Sequence, residues 1–162
     1  MEAIGDGNAS IRATAIRIAR EQKTHVTELI KLSVKDPSPL VRRECAIALR
    51  HSKSTMAPEL WATLAIQYDG KDRWYLEALG IGAQGNEDAC FKAWLKLVGK
   101  GWNTPSGRDI VWRIRSKFTP AKLVTFIKDP AIDEPEKARY RRALDFFEGP
   151  EKNAALLQLL DQ

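Results

Sequence analysis

Five copies of one apolar triplet, about 30 to 35 residues apart, constrain the fold of this chain more than any other feature. In each copy the apolar residues stand at positions i, i+3 and i+4, the spacing that places side chains on one face of an α-helix. A period of this length is typical of a stacked repeat in which neighbouring units cover each other. The copies are Val26/Leu29/Ile30, Trp61/Leu64/Ala65, Phe91/Trp94/Leu95, Leu123/Phe126/Ile127 and Leu156/Leu159/Leu160.

A further helix precedes each triplet, so the pattern predicts antiparallel helix pairs. In the first three units this helix carries small and apolar residues at i, i+4, i+7 and i+8, which we assign to its buried face. We expect all five triplets to be buried between layers as well. The assigned sets are Ile11/Ala15/Ile18/Ala19, Val41/Cys45/Ala48/Leu49 and Trp74/Ala78/Ile81/Gly82.

Prolines mark the helix starts. Proline is tolerated in a first helical turn because its missing N–H would have no partner inside the helix. Five prolines suit such positions, and three of them follow a hydroxyl residue that we predict as an N-cap. The prolines are Pro39, Pro105, Pro120, Pro135 and Pro150, and the predicted caps are Ser38, Thr104 and Thr119.

These signals predict an all-α fold, an α-solenoid of about five antiparallel helix pairs, in a single domain over residues 1–162. No alternating β pattern is present. The units are expected at about 6–35, 36–68, 69–99, 104–129 and 133–162. The first helices are predicted at about 10–20, 39–51, 72–83, 105–116 and 135–147, and the second at about 24–34, 56–68, 87–98, 120–128 and 150–160.

An acid recurs before the first helix of the first three units, at Asp6, Asp36 and Asp69. An arginine follows inside two of those helices, at Arg12 and Arg42. A carboxylate at a helix start favours the positive end of the dipole, and an arginine from a stacked neighbour can bind it in bidentate fashion. We interpret these residues as ties between units and not as general acids.

The segment from Asp36 to Arg50 reads DPSPLVRRECAIALR, which resembles the D-x-x-P-x-V-R-x-x-A-x-x-A-L pattern of HEAT repeats. The first unit matches more loosely, the third replaces the Val-Arg pair with Trp74-Tyr75, and the last two units keep only the helix-pair rhythm. The resemblance implies a HEAT-like solenoid. In such solenoids the second helices line the concave side.

Three further segments resemble the helical middle region of large exported proteins of planctomycetes, verrucomicrobia and their relatives. In those proteins a sugar-dehydrogenase-like propeller precedes the helical region and a c-type cytochrome domain follows it. The resemblance implies a spacer or scaffold with protein partners or neighbouring domains, and an exported, periplasmic location. The segments are YDGKDRWYLEALGIG at 68–82, WNTPSGRDIVW at 102–112 and RYRRALDFFEGPE at 139–151.

Catalytic and cofactor patterns are weak in this sequence. Cys45 and Cys90 are isolated, which favours small core residues over a haem or disulfide motif. The only histidines, His25 and His51, have no ligand spacing for a metal. The G-x-G-x-x-G run at 80–85 ends a helix and follows no strand, so helix packing explains its glycines better than a nucleotide does. We therefore expect no enzyme activity, cofactor or metal. We also expect neither a membrane span nor a signal peptide at Met1.

The charge is uneven. The net charge is +5, yet residues 92–128 contain nine basic residues and one acid. Such a local surplus suits an acidic partner or a polyanion, although basic residues also coat ordinary helix surfaces. We predict a positive partner-binding patch on or beside the concave side, formed by Lys92, Lys96, Arg113, Arg115 and Lys122.

The same stretch leaves a second function open. Basic residues interleaved with tryptophans can bind nucleic acid by phosphate contacts and base stacking. Some HEAT-like proteins are DNA glycosylases with tryptophans and an aspartate around the damaged base, and Asp109 with Trp102 and Trp112 is similar in residue type. The leading hypothesis is a non-catalytic scaffold or spacer for protein–protein interaction, a part of a multidomain dehydrogenase–cytochrome. The alternative is a small basic HEAT-like nucleic-acid-binding protein, for which a DNA-glycosylase-like enzyme is one form.

Overall fold

The computed structural model describes residues 2–160, and within that range it contains ten α-helices and no strand. The all-α prediction is confirmed, and each predicted helix overlaps an observed one. Three short 3-10 segments cover Glu2–Gly5, Gly99–Asn103 and Leu144–Phe146. The helices are α1 (Ala9–Gln22), α2 (Val26–Ser33), α3 (Pro39–Ala48), α4 (Ala57–Ala65), α5 (Arg73–Gly82), α6 (Glu87–Val98), α7 (Pro105–Arg113), α8 (Thr119–Lys128), α9 (Glu134–Ala143) and α10 (Pro150–Leu160).

The helix starts follow the proline signals. All five prolines occupy the first or second position of a helix, as predicted. Thr104 is an N-cap whose Oγ accepts the Gly107 N–H at 3.1 Å. Ser38 stands at the N-cap of α3 but makes no side-chain bond there. The prediction for Thr119 is wrong, because Thr119 is the first residue of α8 and its hydroxyl donates to the Ile114 carbonyl at 3.4 Å.

Helices pack in two series. Of the helices that precede the triplets, α1 contacts α3, α3 contacts α5 and α5 contacts α7. Among the triplet-bearing helices, α2 contacts α4, α4 contacts α6, and α8 contacts α10. The segment Gly99–Asn103 packs on α6 and α7, and the ring of its Trp102 lies 5.5 Å from that of Phe126 in α8.

The first four triplets line the core. Trp61, Leu64, Phe91, Trp94 and Leu123 are at most 1% exposed, while Val26 and Leu95 at the edges of their triplets are half-buried. Both cysteines are core residues, as predicted, with Cys45 0% and Cys90 1% exposed.

The prediction that the fifth triplet is buried is wrong. Leu156 is 41% and Leu160 77% exposed, and Leu159 is only partly buried. Helix α10 packs on α8, and its only buried residue is Ala155. Two of the three residues of this triplet are therefore exposed, unlike most of their counterparts in the first four triplets.

For the first helix of each of the first three units, the sequence predicts a set of four buried residues. All four are buried only in α3, where they are Val41, Cys45, Ala48 and Leu49. In α1 the buried residues are Ala13, Ile16 and Ala19, while Ile11 and Ile18 are 44% and 49% exposed. In α5 the buried face begins at Tyr75, one residue later than predicted, and Trp74 is 73% exposed.

Helices α3 and α5 approach very closely at Gly82. A Cβ at Gly82 would lie 2.1 Å from the Ala46 carbonyl oxygen, which belongs to the backbone of α3. A Cβ at Gly80 would meet the guanidinium of Arg113 in α7 instead. Helix packing therefore accounts for these two glycines, as the sequence predicts.

Candidate interaction surface

Arg12 ties the first unit to the second. Its Nε and Nη2 donate to the two carboxylate oxygens of Asp36 at 2.7 and 2.8 Å, and its Nη1 donates to the Asp6 and Gly7 carbonyls. These hydrogen bonds from Arg12 lower the pKa of Asp36 below its ordinary value. The predicted bidentate tie between units is confirmed for this pair.

The next unit repeats part of this arrangement. Arg42 donates to the Asp36 and Pro37 carbonyls at 2.6 and 3.0 Å, as Arg12 does one unit earlier. Its Nε donates to the Tyr75 hydroxyl at 3.3 Å. Tyr75 thus takes the position that the Asp36 carboxylate holds for Arg12.

Asp69 does not tie the second unit to the third. Its Oδ1 accepts the Lys71 amide in a local turn. The carboxylate that crosses between units is that of Asp72, which lies 3.5 Å from Arg43. The repeat period predicted Asp69 for this contact in place of Asp72, because both residues precede α5.

The structure divides the five residues of the predicted basic patch into two kinds. Arg113 is 18% exposed and donates to Glu77 Oε2 at 2.8 Å. Arg115 donates to the Trp112 and Arg113 carbonyls at 2.7 and 3.1 Å, and burial lowers its pKa. Both arginines are therefore held by contacts inside the chain.

The three lysines of that patch have no carboxylate within 4.0 Å in the part of the chain that the structure describes. The Lys92 ammonium lies 4.7 Å from the centre of the Phe118 ring, and that of Lys122 lies 3.9 Å from the Trp102 ring. Lys96 is exposed on α6. Among the described residues these lysines, on α6 and α8, are the members of the predicted patch that are held neither by an ion pair nor by backbone carbonyls.

The Asp109 side chain on α7 forms an ion pair with α9. Its Oδ1 accepts from Arg139 at 2.7 Å, and its Oδ2 accepts the Tyr68 hydroxyl at 3.2 Å. Burial, with a further contribution from Asp109, raises the pKa of Tyr68 to about 12. The Arg139 guanidinium also lies 3.9 Å from the centre of the Trp112 ring, covering one face of it.

Trp102 lies in a different environment from Trp112. It packs on Phe126 and lies beneath Lys122. The two tryptophans thus have separate partners, and each already has a cation over its ring.

A groove of about 450 Å³ runs between α3 and α5. Trp74 lies on it with 73% of the residue exposed, the highest exposure of any aromatic residue that the structure describes. Sequence reasoning missed this groove because it placed Trp74 in the core. The groove is lined by Leu40, Arg43, Glu44, Ile47, Trp74, Glu77, Ala78 and Ile81.

The two glutamates of the groove are neutralised by arginines. Glu44 accepts from Arg17 and lies 3.6 Å from Arg20, both on α1. Glu77 lies 2.8 Å from Arg73 and from Arg113. Burial would raise the pKa of Glu77, but the hydrogen bonds from Arg113 and Arg73 outweigh it and lower that pKa.

Within residues 2–160, no group of three or more His, Cys, Asp or Glu side chains is placed to hold a metal ion. No helix in that range is both long and apolar enough to cross a membrane. No family model, curated protein or solved structure matches the chain.

Proposed function

We propose that this chain is a non-catalytic scaffold for protein–protein interaction, built as a HEAT-like α-solenoid of five helix pairs in one domain. The contacts of α1 with α3, of α3 with α5 and of α5 with α7 support the solenoid. So does the bidentate Arg12–Asp36 tie, which joins the two units that most resemble HEAT repeats. Solenoids of this kind present an extended surface to partners.

The observation that carries this proposal is the exposure of Trp74. A tryptophan that is 73% exposed, beside an apolar groove between two packed helices, has the character of a binding hot spot. The close approach of Gly82 to Ala46 holds the far end of α5 against α3, which favours a preformed groove. A preformed site loses little conformational entropy on binding.

The resemblance to the helical middle region of exported dehydrogenase–cytochrome proteins suggests where such a scaffold works. In that setting the partner is a neighbouring domain of a parent chain or a protein that meets it outside the cytoplasm. The scaffold then sets the distance between its neighbours.

Site-specific photo-crosslinking tests the proposal. A photoreactive phenylalanine analogue at position 74 should capture a defined protein in an extract of the source organism, identified by mass spectrometry. The matched control carries the analogue at Leu32, which is 67% exposed on α2. Capture of the same proteins from both positions, or of none from position 74, contradicts the proposal.

The basic patch supports the alternative, a nucleic-acid-binding protein. Lys92 and Lys122 lie over aromatic rings and, with Lys96, have no ion pair among the described residues. Duplex or single-stranded DNA should then bind with strong salt dependence. Reversal of the three lysines to Glu should abolish that binding while the melting temperature stays nearly unchanged. Binding to an acidic protein that survives this reversal would show that these lysines are only a solvated face.

A further inference from the structure

The groove between α3 and α5 combines an apolar floor with a charged rim. Leu40, Ile47, Ala78 and Ile81 supply apolar lining, and Trp74 stands exposed at its side. An amphipathic segment would bury one apolar side chain against this lining. That arrangement is a helix-in-groove or extended-segment mode of recognition.

The rim is positive. Five arginines and four carboxylates are joined by ion pairs at this groove, which leaves a surplus of one positive charge. Two of these arginines keep much of their side chains in solvent, Arg17 with 53% and Arg73 with 66% exposed. The arginines are Arg17, Arg20, Arg43, Arg73 and Arg113, and the carboxylates are Glu21, Glu44, Asp72 and Glu77.

We propose that this groove binds an acidic amphipathic segment of a partner protein. An apolar or aromatic side chain of the segment packs against Trp74 and Ile47, and flanking carboxylates bind the exposed arginines of the rim. The inference rests on the proposed scaffold function and adds the site and the chemistry of the partner to it.

The glutamates of the groove do not favour a basic segment. Glu44 and Glu77 are each already bound to two arginines, so an incoming lysine would meet a neutralised carboxylate inside a positive rim. The Glu44 carboxylate has almost no contact with solvent, so an incoming ligand has little access to it. Charge complementarity therefore selects an acidic partner.

A display library of random 16-residue peptides, selected on the purified chain at low salt, tests this inference. The selected peptides should contain acidic residues around an aromatic or large aliphatic residue. Fluorescence anisotropy with a labelled peptide from this set should show at least about tenfold weaker binding to Trp74→Ala, as for a hot-spot tryptophan. Binding should also weaken as salt rises, because screening reduces the attraction of the rim.

Two charge variants distinguish the effect of a positive charge at the groove from the effect of the net charge of the chain. Arg73→Gln removes a rim charge and leaves Glu77 paired with Arg113, so the fold should persist and binding should weaken several-fold. Lys128→Gln removes the same charge from the exposed end of α8 and should leave binding unchanged. Equal losses in both variants would overturn the inference.

Other outcomes also decide the question. Selected peptides without acidic residues, peptides that bind Trp74→Ala as tightly as the parent chain, or a selection that yields no binder would each overturn the inference. If crosslinking at position 74 still captures a specific protein in any of these cases, the scaffold function stands and only the acidic character of its partner is wrong.

Discussion

Among single residues, Asp36 is the one whose ionisation is most directly tied to the stacking of two units. Its carboxylate accepts both hydrogen bonds of the Arg12 fork, and these bonds lower its pKa. The folded state therefore favours the charged form. The contribution of this group to stability is complete above the unfolded-state pKa of about 3.9 and is lost as the pH falls through the lower folded value.

We predict that Asp36→Asn lowers the free energy of unfolding near neutral pH. The difference from the parent chain should shrink as the pH falls below about 4, because protonation then removes the same charge from the parent. Urea unfolding at a series of pH values measures this. Asp145→Asn, at an exposed position, is the control and should run parallel to the parent. A difference for Asp36→Asn that is constant with pH would contradict the prediction.

A second prediction at the scale of single residues concerns Gly82. A methyl group there would lie 2.1 Å from a backbone oxygen of α3, so the helices must separate. Gly82→Ala should cost about 1 to 3 kcal/mol, as overpacking does. Gly80→Ala is the matched control, because its methyl group meets the guanidinium end of Arg113 and no backbone atom of a neighbouring helix. That end can shift while Glu77 stays paired with Arg73, and the helix gains about 1 kcal/mol in propensity. Chemical denaturation of both variants measures the difference, and equal costs would contradict the prediction.

The burial of Tyr75 and the exposure of Trp74 could not be predicted from the sequence. Trp74 and Tyr75 are adjacent aromatics, so either could begin the buried face of α5. The hydroxyl of Tyr75 donates to the Leu64 carbonyl at 3.0 Å and accepts from Arg42, which gives Tyr75 the inner position. Those partners lie 11 and 33 residues away in the chain, so no local pattern reveals them. The groove of Trp74 could not be predicted for the same reason.

At the scale of whole helices, α8 and α10 each begin their triplet with a leucine, and the two leucines lie in different environments. Leu123 and Leu156 both begin a triplet, yet Leu123 is 0% and Leu156 41% exposed. Leu123→Ala should cost about 2 to 5 kcal/mol because it leaves a cavity, whereas Leu156→Ala should stay within about 0.5 kcal/mol. Thermal and urea unfolding of the two variants test this pair. Comparable costs would mean that α10 buries its triplet face in solution.

The triplet pattern predicts a helix face without saying what covers it. Four triplets were placed correctly because neighbouring helices lie over them, and the fifth was not because α10 contacts α8 through the face of Ala155. Helix starts were more predictable, since proline and a capping threonine act within one turn. Whether a helix face is buried depends on helices that are distant in the chain, so one segment of sequence does not reveal it.

Over the whole molecule, burial is unequal from one end of the described chain to the other. Helix α4 buries six residues, whereas α9 buries Tyr140 and Ala143 and α10 buries Ala155 alone. We predict that amides of α9 and α10 exchange with solvent hydrogen through openings of lower free energy than those of α4 and α5. Native-state hydrogen exchange with peptide-level mass spectrometry measures this. Uniform opening free energies across all ten helices would contradict the prediction.

The period of the triplets was enough to predict an all-α chain and the order of its helices, because each unit repeats one local pattern. It was not enough to assign the charges of the surface. Arg113 and Arg115 belong to the basic stretch in sequence, but they are bound to Glu77 and to backbone carbonyls. Ion pairs between units depend on which helices stack, and the sequence alone does not specify those partners.

The burial of the two thiols has a practical consequence for following the motions of this chain. Burial raises the pKa of Cys45 and of Cys90 to about 12, and both side chains are shielded from solvent. Alkylating reagents attack the exposed thiolate, so each cysteine can react only when its own helix opens. Because Cys45 lies on α3 and Cys90 on α6, comparison of the two alkylation rates would show whether these helices open together or separately, without any introduced label.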